Sequence, residues 1–147
     1  MPVRTGAQFI QGLKENGPEL YLDGEKVKDV TTQPGLRKGV NTLARMYDMQ
    51  HDPDLREEMT YASPTSGQPV GLSFLAPRTK DDLARRRAMM SRWAHTSYGM
   101  MGRTPDFLNV SLMCMAEAGD YFAQNRPEFK QNIVSYYEYV RENDLTL

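Results

Sequence analysis

Residue types able to do chemistry are few in this chain, and one segment holds the most suggestive of them. Gly99-Met100-Met101-Gly102-Arg103 runs directly into Thr104-Pro105-Asp106. A capping hydroxyl, a proline at the first helical position and an acid in the first turn together mark a helix start. Helix N-termini attract anions. Arg103 adds a permanent charge on a planar fork of donors. If the glycines turn Arg103 inward, it needs an anionic or carbonyl partner, because a lone buried charge is very costly. The plainer alternative leaves Arg103 exposed or paired with Asp106, with Gly99 to Gly102 forming an ordinary turn between helices.

The other candidates offer less. There is no Gly-x-Ser-x-Gly motif. Cys114 sits in the most apolar stretch of the chain and reads as a buried, inert thiol. His51 lies in a polar turn and is expected to be exposed, and His95, beside Trp93 on a helix, reads as a surface histidine. The two are far apart, with no second ligand at helical spacing, so no metal site is expected. Arg85, Arg86 and Arg87 follow Asp81 and Asp82 on one helix. Three consecutive helical positions point to different faces, so these arginines are expected on a solvated, salt-bridged surface rather than against nucleic acid. With 18 basic and 19 acidic residues the net charge is −1, which recruits neither nucleic acid nor an anionic membrane.

The elements that must position these residues fit in one domain of 147 residues, 39% hydrophobic and 25% charged, a balance that excludes bulk disorder. No apolar run approaches the roughly 18 residues of a membrane span. The N-terminus lacks the continuous apolar stretch of a signal peptide. One cysteine permits no internal disulfide, so a cytoplasmic setting is expected. The 10 methionines are expected to fill core or interface space.

Helical periodicity dominates, with two short β signals. A first helix is expected after Thr5, with Phe9, Ile10 and Leu13 on one face and Gly17-Pro18 as its stop. Asp23-Gly24 between two short runs predicts a hairpin. Leu36, Val40, Leu43, Ala44 and Tyr47 predict an amphipathic helix that ends near Gln50. Met59 to Tyr61 and Val70 to Leu75 read as a second strand pair. Thr79 and Asp82 form a variant capping box, opening a helix with Leu83, Arg87, Met90, Ala94 and Tyr98 on one face.

From Phe107 to Phe122 apolar residues occur almost all round one helix, so that helix is expected to be enclosed by neighbours. A last helix from Pro127 presents Phe129, Ile133, Tyr136 or Tyr137, and Val140. The final residues, Asp144 to Leu147, show no glycine or asparagine C-cap and end on an apolar side chain. With the all-round apolar helix, this suggests a piece of something larger or an obligate oligomer.

Three stretches carry a resemblance: Tyr21-Leu22-Asp23-Gly24-Glu25-Lys26-Val27-Lys28-Asp29-Val30-Thr31-Thr32, Met46-Tyr47-Asp48-Met49-Gln50-His51-Asp52-Pro53, and Tyr98-Gly99-Met100-Met101-Gly102-Arg103-Thr104-Pro105-Asp106-Phe107. Across essentially its whole length the chain resembles the N-terminal domain of the oxygenase components of 4-hydroxyphenylacetate 3-monooxygenases, a family of two-component, reduced-flavin-dependent aromatic hydroxylases. The resemblance implies a mainly α fold with two short β-hairpins, the helical N-terminal domain of an acyl-CoA-dehydrogenase-like enzyme. Residues 1–147 would be that single domain, without the family's middle β domain and C-terminal helical bundle. A dehydratase branch of the same superfamily carries an iron–sulfur cluster, and no cysteine pattern here supports one.

The resemblance also implies roles. Arg103 would sit in the substrate pocket, hydrogen-bonding the phenol oxygen, as catalytic and substrate-binding residue. Phe107 would line that pocket where the family has a tyrosine, able to stack on a ring but without a hydroxyl. A histidine motif would begin just beyond Leu147. FAD would arrive reduced from a separate flavin reductase and be held mostly by regions outside this chain. A flavin C4a-hydroperoxide would hydroxylate the ring ortho to the phenol. The implied partners are thus a phenolic small molecule, a reductase and further copies in a homo-oligomer, a tetramer in the full-length family, with no nucleic acid or membrane. The chain alone is expected to be inactive. The alternative is a non-catalytic helical interaction module derived from the same fold.

Overall fold

The computed structural model describes residues 3–100 and 105–147, with side chains from 107 onward in the second stretch. Seven helices and two small antiparallel sheets make up the described residues. Helix α1 (Gly6–Asn16) opens on a capping box in which the Thr5 hydroxyl accepts from the Gln8 amide and the Gln8 side chain accepts from the Thr5 amide. Strands β1 (Tyr21–Leu22) and β2 (Glu25–Lys26) form the first hairpin. Its central residues, Asp23 and Gly24, have φ of 52° and 83°, the left-handed pair that a two-residue hairpin turn requires.

Helix α2 (Arg37–Met49) packs on α1 at close range. A β carbon on Gly6 would stand 2.4 Å from the Ala44 carbonyl oxygen, so only glycine lets the two backbones meet there. Phe9 and Tyr47 stack across this contact with ring centroids 5.0 Å apart.

A single helical turn α3 (Arg56–Met59) leads into β3 (Thr60–Ala62), which pairs with β4 (Pro69–Gly71) in the register Thr60 with Gly71 and Ala62 with Pro69. The strand expected to reach Leu75 stops at Gly71, and Leu72–Phe74 forms a 3-10 turn. The reason lies in helix α4 (Lys80–Thr96). The guanidinium of Arg86 donates to the carbonyls of Ser73 and Leu75, both at 2.9 Å, and more distantly to that of Leu72. A flat strand would aim the neighbouring Leu72 and Ser73 carbonyls to opposite sides; the tight turn lets both face one cation.

Arg86 therefore corrects the surface reading of the arginine triplet: it is 6% exposed. The inner face of α4 is Arg86, Met89 and Trp93, while Leu83 and Tyr98 lie exposed. Thr79 and Asp82 do form the expected capping box.

Helix α5 (Pro105–Glu117) stops before Ala118, and a separate short helix α6 (Gly119–Ala123) follows. The single helix expected to Phe122 is thus broken. A β carbon on Gly119 would meet Lys130 at 3.0 Å, so the break lets α6 close on α7 (Glu128–Glu142). On α7 the open choice between tyrosines resolves to Tyr137, which is buried and donates to the Phe74 carbonyl. Asn143 caps α7, contrary to the expected lack of an asparagine cap, and Asp144 follows at φ 47°. The Leu145 amide then reaches back to the Val140 carbonyl at 3.0 Å, closing the helix end.

Three apolar clusters result. Met46, Met59, Leu72, Met89 and Trp93 form one. Phe74, Leu112, Met113, Tyr137 and Val140 form the second, and Phe9, Ala44 and Tyr47 the third. Methionines thus occupy core positions, as expected. No helix among the described residues is long and apolar enough to cross a membrane.

Candidate functional site

The segment singled out by its residue types is approached from the end of α4. The Ser97 amide donates to Trp93 at 2.8 Å and the Gly99 amide to Ala94 at 2.7 Å, a helix stop of the Schellman kind. Tyr98 takes the left-handed position at φ 56°, a place usually given to glycine, and its ring is 93% exposed. Arg103, the expected catalytic and substrate-binding residue, lies outside the described residues.

Beyond it, the first turns of α5 present Phe107, 57% exposed, with Leu108 exposed beside it. Asn109, about 200° round the helix from Phe107, points the other way and is 2% exposed. Its Nδ2 donates to Ser73 Oγ at 3.1 Å, which ties α5 to the 3-10 turn. Leu112 and Met113 continue that buried side. The helix is therefore fastened from behind and offers an aromatic and aliphatic wall in front. Phe107 belongs to this open wall, not to a closed core.

The other sequence candidates fall out as follows. Cys114 is exposed, which corrects its reading as a buried thiol. The enclosure expected for the α5 stretch is met on one side only, since Phe107, Leu108, Met115 and Tyr121 remain exposed. An apolar groove of about 300 Å³ runs between Met115 and Phe122 on one bank and Phe129, Ile133 and Tyr136 on the other. His51 is only half-exposed, with Nε2 3.1 Å from the Arg4 carbonyl oxygen. His95 is exposed, its Nδ1 2.7 Å from the Ser91 carbonyl oxygen.

Sequence reasoning missed a buried polar cluster behind the wall. Asp144 Oδ2 accepts from the Arg4 amide at 2.8 Å and from Gln50 Nε2 at 2.9 Å. The Asp144 carbonyl accepts from Arg4 Nε and Nη2 at 2.9 and 2.7 Å and from the Tyr47 hydroxyl at 3.0 Å. Burial pushes the Asp144 carboxyl above the usual carboxylate range, against the pull of those donors and of the Arg4 and His51 charges. Burial first and Asp144 second push the Tyr47 hydroxyl up to about 12. The only sequence signal was a charged residue directly after a helix end, which by itself points to nothing.

A pH dependence follows. The raised folded-state value means that the native chain binds a proton at Asp144 more readily than the unfolded chain does. That contribution to stability is full below the ordinary carboxylate range. It is lost as pH rises toward the raised value, and stays lost above it. Asp144→Asn keeps an oxygen to accept from Arg4 and Gln50 and removes the buried charge. The variant is expected to unfold at a higher temperature than the unaltered chain at pH 7, with the gap closing as pH falls through the acid range. Thermal unfolding across pH checks this, and a variant less stable at pH 7 with an unchanged profile contradicts it.

Against known proteins, the family described as "4-hydroxyphenylacetate 3-hydroxylase N terminal" matches residues 5–147. The oxygenase component of 4-hydroxyphenylacetate 3-monooxygenase from Geobacillus sp. is 46% identical over 147 residues, covering 100% of this chain and 29% of the relative. A crystal structure of such an oxygenase component, complexed with FAD and 4-hydroxyphenylacetate, superposes with a TM-score of 0.89 at 48% identity, over 97% of this chain and 29% of that one. An archaeal 4-hydroxybutyryl-CoA dehydratase from N. maritimus shares the fold alone, with a TM-score of 0.79 at 18% identity over 98% of this chain and 28% of that one. The chain thus spans less than a third of the length of the proteins it matches.

Proposed function

The chain belongs to the 4-hydroxyphenylacetate 3-hydroxylase family, and from that premise we propose that it forms the N-terminal, substrate-side module of a longer flavin-dependent phenol ortho-hydroxylase. One observation carries the reading. Directly after the Gly102-Arg103-Thr104-Pro105 motif, α5 is anchored by Asn109 on its inner side and holds Phe107 out on a half-open apolar wall. Such a wall suits the flat face of an aromatic ring.

Reduced FAD, supplied by a separate reductase, would deliver with molecular oxygen one oxygen atom to the ring, while the other leaves as water. No described residue is assigned to hold the flavin; its contacts belong mostly to the rest of the longer protein. The work of this chain is binding and orientation. The Arg103 guanidinium donates to the phenol oxygen and favours its phenolate form, which enriches the ortho carbon in electrons. Phe107 stacks against the ring and fixes which carbon faces the oxidant. A proton leaves the attacked carbon as the ring regains aromaticity.

The exposed side of α5 and the groove toward α7 are the faces on which further polypeptide, including other copies in a homo-oligomer, would close the site against water. The test uses the full-length protein with a flavin reductase, FAD, oxygen and a panel of phenols. Catechol formation is expected, and the 147-residue chain alone is expected to form none. A full-length protein that binds no flavin and forms no catechol would make this a helical interaction module instead.

A further inference from the structure

Where α2, β4, α4, α5 and the residues after α7 meet lies a small cavity of about 10 Å³, with Gly71, Ser73, Trp93, Asn109 and Asp144 among the residues in its wall. Two side-chain atoms there have no hydrogen-bond partner among the described residues, Trp93 Nε1 and Asn109 Oδ1. Their residues are 6% and 2% exposed. The indole nitrogen can only donate and the amide oxygen can only accept. Asn109 cannot swing away to satisfy itself, because its Nδ2 already donates to Ser73 Oγ at 3.1 Å.

We propose that this cavity is a binding site for a single ordered water, which accepts from Trp93 Nε1–H and donates to Asn109 Oδ1. The volume is at the lower end of the roughly 10–15 Å³ that one water needs, and a buried water is held by two to four polar partners. A third partner is at hand. A β carbon on Gly71 would stand 3.0 Å from Gln50 Oε1 and 3.4 Å from Asp144 Oδ1. The missing side chain at Gly71 therefore leaves room beneath two acceptors, and one of them takes the water's second proton. The bound water joins α4 to α5, the two helices that flank residues 97–104, and so holds both ends of that connection at a set distance. This inference stands apart from the reaction proposed above.

Trp93 is the single tryptophan, so its indole N–H gives one resolved resonance in the 147-residue chain. A rotating-frame Overhauser cross-peak between that proton and a long-lived water is expected. Gly71→Ala places a methyl in the cavity and should abolish the peak while the rest of the amide spectrum persists; its φ of −59° and ψ of 136° suit alanine. No cross-peak in the unaltered chain, or an undiminished one in Gly71→Ala, overturns the proposal. Should that variant fail to fold, a crystal structure of the unaltered chain at a resolution showing ordered waters decides. Density bridging the two atoms supports the site, and an empty cavity or a direct bond from Trp93 to Asn109 overturns it.

Discussion

Replacing Arg86 by methionine should lower the unfolding free energy of this chain by about 2–5 kcal/mol, the range for leaving two backbone acceptors without their donor. Methionine preserves much of the aliphatic stem beside Met89 and Trp93, so the loss comes chiefly from the guanidinium. Without it the carbonyls of Ser73, which is buried, and of the partly buried Leu75 lose donors at 2.9 Å. Each stranded acceptor costs about 1–3 kcal/mol. Domains of this kind are stable by only about 5–15 kcal/mol in total. The 3-10 turn would also lose the cation that converges its carbonyls, so Leu72 and Phe74 would loosen in two core clusters at once. Arg86→Lys should fall between the two, since one ammonium cannot match the planar fork. Urea unfolding measures the difference, and a loss under about 1 kcal/mol for Arg86→Met would mean that the turn holds its shape unaided.

How much of this was readable in advance depends on how local each signal is. The Asp23-Gly24 hairpin, the helix start after Thr5 and the cap at Thr79 are set by residues close together in the chain, and all three formed where expected. The inner face of α4 was not legible, because apolar spacing favoured Leu83 and Met90. The true face opens on an arginine whose partners lie 11 to 14 residues earlier. Cys114 was taken as buried from the apolarity of its neighbours, yet α5 has a solvent side, and one chain in isolation cannot reveal what covers it.

The same holds for the site. Residue types pointed to position 103 and family resemblance to 107, whereas the polar interior behind α5 joins residues up to 140 positions apart. Asn109 meets Ser73 across 36 positions, and Gln50 meets Asp144 across 94. No periodicity encodes such pairings. They exist because buried polar groups must find partners once the apolar faces have closed.

The substrate reading makes its strongest demand at positions 103 and 107 of the full-length protein. Arg103→Ala should reduce kcat/KM for a phenol by about 100-fold, near 2.7 kcal/mol, the loss that follows removal of one donor aimed at developing negative charge. Arg103→Lys should recover only part of it, because a point charge lacks the fork. Phe107→Tyr should act in the opposite sense. The Phe107 ring is 57% exposed on the front of α5, which leaves room for a hydroxyl there among the described residues.

If that ring faces the substrate, the new hydroxyl adds a hydrogen bond to the phenol oxygen, worth about 0.5–1.5 kcal/mol, and should tighten phenol binding by roughly two- to ten-fold. A substrate whose phenol oxygen is methylated separates the possibilities. It cannot form a phenolate, so Arg103→Ala should cost it far less, and Phe107→Tyr should leave its binding nearly unchanged. Equal losses for the free and the methylated phenol in Arg103→Ala would show that the guanidinium serves the fold of the segment and not the phenol oxygen. Steady-state kinetics and equilibrium binding, run with both compounds on the same three variants, decide between a substrate contact and a structural one.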